Sequence, residues 1–174
     1  MRLKNKRAVV LIEEGFEDLE FWVTVMRLRE EGAAVSVVGK EAGKAFTGKG
    51  GLKAQSEVAA SQVNTEDLSA VIVPGGWAPD KLRRYPEVLK LVRGAYQQNK
   101  IVGLICHAGL VGISAGIVKG HKATGSEGIK DDLINAGATW VDEPAFRDGP
   151  IVWGRVVKDI PDFCRELVKA IEEN

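Results

Sequence analysis

Short apolar runs alternate with stretches of helical periodicity along most of the chain. Arg7 to Ile12 is a continuous valine-rich run of the kind buried on both faces of a sheet. Glu17 to Glu31 has helical spacing, with Leu19, Trp22, Val23, Met26 and Leu28 near one face, and Gly32 ends it. Ala33 to Val38 reads as a second strand. Gly39 to Gly51 holds five glycines, and the pattern breaks there into a glycine-rich hairpin or arm over 39–57. Thr65 to Leu68 is a short helical turn, and Ala70 to Val73 is a third buried strand stopped by Pro74-Gly75-Gly76. Pro86 to Asn99 is helical with Pro86 in its first turn, and Lys100 to Ile105 is a fourth strand. Leu110 to Val118 and Ile129 to Ala136 predict two more helices. Thr139 to Val141, Ala145 to Arg147 and Ile151 to Trp153 are short strand candidates. Ile160 to Glu173 closes the chain as an amphipathic helix with Phe163, Leu167, Val168 and Ile171 inward.

Apolar strands alternating with helices predict an α/β fold: a mostly parallel sheet covered on both faces. Ligands of such folds bind beyond the carboxyl ends of the strands. Three segments lie there: Glu13 to Glu20, Pro74 to Asp80, and Cys106 to Gly109.

Cys106 follows a strand directly and precedes a helical pattern, which makes a nucleophile elbow. A helix N-terminus beneath it would favour the thiolate. His107 is a candidate base or orienting partner for that thiol, and its alternative is an exposed helix-capping residue. Glu17 and Glu20 share a helix face, and one of them can reach Cys106; the plainer reading is that both complement the helix macrodipole. A carboxylic acid touching a thiolate must be protonated, or it raises the thiol pKa. Gly75 and Gly76 expose backbone N–H groups suited to an oxyanion hole, with the His107 amide as a second donor. His121, among glycine and lysines, reads as a solvated loop residue, and Cys164 as a packing residue.

Composition narrows the function class. Lys plus Arg and Asp plus Glu number 24 each, so net charge is zero, without the footprint of a general nucleic-acid binder. Two cysteines exclude a disulfide scaffold and fit a reducing compartment. The basic start is followed by too short an apolar run for a signal peptide, and no run approaches a membrane span, so the expectation is a cytoplasmic protein without nucleic-acid or membrane partners. Gly43 to Lys49 fits a phosphate-loop pattern, but Gly50 replaces the required Ser or Thr. Gly112 to Gly116 spells the serine-hydrolase pattern inside a helical segment rather than at a strand end. No zinc spacing is present.

Taken in order, several segments resemble the PfpI superfamily, the intracellular cysteine peptidase-like proteins related to the Parkinson's-associated deglycase. They are Phe16-Glu17-Asp18-Leu19-Glu20, Val73 to Asp80, Ile105-Cys106-His107, Ile113 to Gly116, Gly128 to Ala138 and Trp140 to Glu143. The resemblance implies a flavodoxin-like three-layer sandwich forming one domain over 1–174, with no cofactor and no metal. It implies Cys106 as nucleophile, His107 as partner, Glu20 as the acid contacting the thiol with Glu17 beside it, and Gly75 and Gly76 as oxyanion donors. Asp80 matches an acid lent across a subunit interface, a position usually Glu, so a homodimer or hexamer is implied. Arg155 keeps a substrate-binding position. Ala108-Gly109, Gly125-Ser126-Glu127 and Gly154 depart from the usual Gly-Pro, Ser-Tyr-Pro and serine. The implied function is a cysteine-dependent stress enzyme, either an intracellular peptidase or a glyoxalase III/deglycase acting on 2-oxoaldehydes and their adducts. The alternatives are a redox sensor, or a chaperone-like protein using an apolar patch around Trp77 and Trp153.

Overall fold

A central sheet of seven strands runs in the order β10-β11-β7-β6-β1-β2-β5, in a computed structural model that describes residues 1–174. These are β1 (Arg7–Leu11), β2 (Ala34–Gly39), β5 (Val58–Ala59), β6 (Ala70–Val73), β7 (Ile101–Ile105), β10 (Ala145–Asp148) and β11 (Ile151–Gly154). All neighbours pair in parallel except the β10–β11 hairpin. β6, β7 and β11 are buried at every position. Strands covered on both faces have no reason to alternate, which is why these sequences are apolar throughout.

Helices cover both faces. α1 (Asp18–Glu30) and α6 (Ile160–Glu173) pack together on one side; α3 (Pro86–Gln97) and α4 (Gly109–Ala115) pack on the other, with α2 (Ala78–Leu82) and α5 (Lys130–Asn135) against α4. Two small sheets complete the fold: the hairpin β3 (Ala45–Thr47) with β4 (Lys53–Gln55), and β8 (Lys122–Ala123) with β9 (Thr139–Trp140). One core of 49 buried hydrophobic residues joins the layers. On α6, Phe163, Leu167, Val168 and Ile171 are buried, each worth roughly 1.5–3 kcal/mol. No helix is long and apolar enough to cross a membrane.

The structure corrects the sequence reading in three places. On α1, Leu19, Val23 and Met26 face solvent, while Phe21, Val25 and Leu28 are buried. Both sets have helical spacing, so periodicity alone does not choose between them. Phe21 decides it, packed at a tilt against Phe16 with ring centroids 4.8 Å apart. α2 was not anticipated; it is five residues long and begins just after the strand-ending glycines. His121 is not a solvated loop residue. Its Nδ1 lies 2.9 Å from Asp148 Oδ2 and its Nε2 2.8 Å from Tyr96 Oη. The ring therefore donates through Nδ1 and accepts from the phenol, tying the start of β8 to α3 and the β10–β11 hairpin. His121→Ala removes both bonds and is expected to cost about 1–2 kcal/mol, read as a lowered denaturant midpoint. An unchanged midpoint would contradict this role.

Candidate active site

β1, β6 and β7 end side by side, and the segments that follow them meet in one cavity of about 530 Å³. Its lining includes Cys106, His107, Glu17, Gly76, Lys49 and Trp77.

Cys106 begins a single 3-10 turn between β7 and α4, with φ +62. That left-handed conformation is costly for a side-chain-bearing residue, and such strain concentrates where a side chain must be presented at one angle. It aims the thiol out over the sheet's end. His107 Nδ1 lies 3.3 Å from Cys106 Sγ. No other hydrogen bond holds the imidazole from within this chain. Burial and the Lys49 charge both lower the His107 pKa, so the ring is neutral at pH 7 and can accept a proton.

Glu20 is fully buried on the first turn of α1. Its Oε2 accepts the Gly75 N–H at 2.7 Å, while Oε1 has no nitrogen or oxygen partner. Gly75 lies between this carboxylate and Cys106: a Cβ there would stand 2.5 Å from Glu20 Oε2 and 3.2 Å from Sγ. Burial pushes Glu20 up to about 7. Burial first, and then the charge and hydrogen bond of Glu20, push the thiol up to about 12. Backbone N–H groups of His107 and Gly76 pull the thiol the other way. The expectation that a helix N-terminus lowers the thiol pKa thus fails, because burial beside a carboxylate outweighs the N–H groups. Near neutrality the sulfur therefore keeps its proton while Glu20 is partly ionised and able to accept that proton when sulfur attacks.

The loop after β6 is fixed by close backbone contact. Gly76 has φ +81, and a Cβ there would meet Gly15 O and Glu17 N at 2.5 Å. Its N–H remains directed at the thiol, whereas the Gly75 N–H is already committed to Glu20. Glu17 caps α1, with Oε2 accepting the Glu20 N–H at 2.8 Å. This is the helix-end role that acids favour there, though the residue also lines the cavity.

Two anticipated residues are not gathered here. Asp80 is exposed on α2 and pairs with Arg84. Arg155 lines a neighbouring hollow of about 300 Å³ and is held by Asp159 at 2.9 Å and Asp142 at 2.8 Å. Four residues without a part in the active site on the sequence reading build or line it: Asp18, Lys49, Trp77 and Lys158, of which the sequence places Trp77 only in an apolar patch and Lys49 only in a phosphate-loop pattern. Asp18 accepts the N–H groups of Gly50 and Leu52 at 2.5 and 2.7 Å. It thereby folds the β3–β4 loop over the cavity and carries Lys49 into it. Trp77 stands exposed at the rim, and Lys158 lines the same cavity. The glycine-rich run at 48–51 was the available signal, since such a run accommodates a close approach. No three His, Cys, Asp or Glu side chains are grouped to hold a metal ion.

The DJ-1/PfpI family matches residues 6–170. A protein of Pyrococcus furiosus named deglycase PfpI is 37% identical over 166 residues, covering 95% of this chain and 99% of that one. A Bacillus subtilis protein, YraA, named as a cysteine protease, is 35% identical over 168 residues, covering 97% of this chain and 99% of its own. Among solved structures, a two-domain protein of Anabaena variabilis with DJ-1/ThiJ/PfpI-like and ferritin-like domains superposes with a TM-score of 0.93 at 34% identity. That match covers 94% of this chain and 47% of the two-domain protein. Drosophila melanogaster DJ-1beta shares the fold, with a TM-score of 0.88 at 23% identity over 97% of this chain and 94% of that one. The chain belongs to the DJ-1/PfpI family.

Proposed function

We propose that the protein is a cysteine-dependent enzyme that removes 2-oxoaldehydes, such as methylglyoxal, from the small amines and thiols they modify. The observation that carries this reading is the Cys106–Glu20 pair, a buried carboxylate and thiol either side of Gly75 with His107 3.3 Å from the sulfur. The relatives named deglycase and cysteine protease support the same chemistry of sulfur attack on a carbonyl or its adduct.

As sulfur attacks the adduct carbon, Glu20 takes the thiol proton. The C–S bond forms and the bond to the amine or thiol breaks, and the leaving group takes a proton back. The hemithioacetal left on Cys106 shifts hydrogen from C1 to C2 through Glu20 or His107, becoming a lactoyl thioester. Water then releases lactate and restores the thiol. The net change is adduct plus water to lactate plus free amine or thiol. Gly76 and His107 N–H groups stabilise the oxyanion. Peptide hydrolysis uses the same groups, but the cavity's 530 Å³ suits a small substrate better than a folded protein. The sensor alternative needs a low-pKa thiol, and burial raises this one. The chaperone alternative needs an apolar patch, and Trp153 is fully buried.

The enzyme acts as a homo-oligomer, dimer or hexamer, in which Asp80 of a second copy orients His107. Three features support this: His107 Nε2 has no partner of its own chain, Asp80 is exposed, and α1 presents Leu19, Val23 and Met26 to solvent. Two free cysteines support a cytoplasmic location.

The test is to supply the hemithioacetal of methylglyoxal and follow lactate and free thiol, with a fluorogenic peptide as the competing substrate. Stoichiometric lactate is the expected result. Peptide cleavage without lactate overturns the deglycase reading in favour of the peptidase.

A further inference from the structure

The Cys106 cavity is lined by two ammonium groups that form no direct ion pair with a carboxylate of the chain. Lys49 reaches it from the β3–β4 loop and Lys158 from the 3-10 turn Val157–Asp159. Neither takes part in any of the ten ion pairs of the fold. Acids beside the two segments are already engaged. Asp18 grips the loop carrying Lys49, whose own N–H bonds Phe16 O at 2.8 Å. Asp142 and Asp159 grip Arg155 just before Lys158. Lys49 Nζ stands 5.7 Å from the centroid of the Trp77 ring, and its field is felt at both His107 and Glu20. Glu17 is the single acid of the lining, and one of its oxygens is taken by the Glu20 N–H.

A neutral substrate leaves this charge unused. We propose that the cavity selects substrates bearing a carboxylate beyond the reacting carbon, held by Lys49 and Lys158: 2-oxoaldehyde adducts of free amino acids and small acidic thiols. The proposal rests on the adduct-removing function above and names its substrate class. Two ammonium groups attract a small anion as point charges, and the carboxylate is the anion that free amino acids and small acidic thiols carry. The fork of Arg155 is already occupied by Asp142 and Asp159. The same charge draws anions toward the cavity from solution, an attraction that salt weakens.

A matched pair of substrates reads the selection. Methylglyoxal hemithioacetals of N-acetylcysteine and of N-acetylcysteine amide differ only in charge. The wild type is expected to prefer the anionic one by about tenfold in kcat/KM, a preference that shrinks as salt rises. Lys49→Gln and Lys158→Gln should each cut that ratio about threefold, and the double variant should bring it near one. A ratio near one in the wild type, or one unmoved in the double variant, overturns the proposal.

A second measurement is independent of turnover. Iodoacetate and iodoacetamide both alkylate Cys106 by attack of sulfur on the methylene carbon, with iodide leaving. Their rate ratio at Cys106, read by peptide mass and divided by the ratio for free N-acetylcysteine, should exceed one and fall in the lysine variants. If neither adduct is turned over but the alkylation ratio behaves this way, the adduct-removing function fails and the anion selection stands. If both adducts are turned over equally and the alkylation ratio is one, the function stands and the selection fails.

Discussion

Cys106→Ala is expected to abolish adduct turnover, with kcat falling at least about a thousandfold, or ~4 kcal/mol of lost transition-state stabilisation. The proposed route has every bond change pass through the sulfur, and no second nucleophile lines the cavity within reach of the same N–H groups. Ser126 is the remaining hydroxyl of the lining. It lies beyond the backbone N–H it donates to Cys106 O, at 3.0 Å, with no base holding its hydroxyl. Loss of activity in Cys106→Ala has to be separated from loss of fold. The comparison is Cys164→Ala on α6, where Cys164 Sγ contacts Thr24 of α1 at 3.9 Å within the core. That variant is expected to lose about 1–2 kcal/mol of stability by leaving a small cavity while keeping its turnover. The pair of results is read from kinetics and denaturant midpoints on the same preparations. Turnover above a tenth of wild type in Cys106→Ala would remove the thiol from the mechanism.

What the sequence made legible follows its strongest physical signals. The buried strands were plain because a strand covered on both faces must be apolar at every position, as β6 and β7 are. The ends of those strands pointed to Cys106 and Gly76, while Glu20 was one of two candidate acids after β1 and only the family resemblance singled it out. Long-range choices were not legible. Nothing local distinguishes the Leu19-Val23-Met26 stripe of α1 from the Phe21-Val25-Leu28 stripe, because the decision is made by Phe16 from outside the helix. The Tyr96–His121–Asp148 chain was invisible because its members lie 25 and 27 positions apart. Asp18 looked like one more acid in a helix's first turn, yet its carboxylate shapes the loop that brings Lys49 to the nucleophile. Gly154 departed from the resembled pattern for a reason the structure supplies: a Cβ there would stand 2.8 Å from the Phe163 ring. The thiol's acidity was misjudged because position at a helix start is readable from sequence, while burial against a carboxylate from another element is not.

That carboxylate supplies the second large effect. Glu20→Gln keeps the shape of the side chain, and its amide oxygen can still accept the Gly75 N–H. It cannot carry a proton between sulfur, substrate and leaving group, so turnover is expected to fall by about 10²–10⁴-fold. The thiol should move in the opposite sense. Removing the neighbouring negative charge lowers its pKa from about 12, which a thiolate absorbance titration reads directly. The variant would therefore have a more readily ionised but catalytically poor sulfur. Stability adds an independent sign. Glu20 holds its proton up to about 7 in the fold against an ordinary 4.5, so the folded state binds more protons than the unfolded one between those values. Wild-type stability consequently falls as pH rises through that window, reaching a full penalty of about 3 kcal/mol above it, at 1.36 kcal/mol per pH unit. Glutamine has no such penalty. Glu20→Gln should match the wild type near about pH 4 and be the more stable protein near about pH 8. Denaturant midpoints at the two pH values test this. Turnover within threefold of wild type would exclude Glu20 as the proton carrier, and a stability difference that does not grow with pH would mean that the buried carboxylate is not held protonated by the fold.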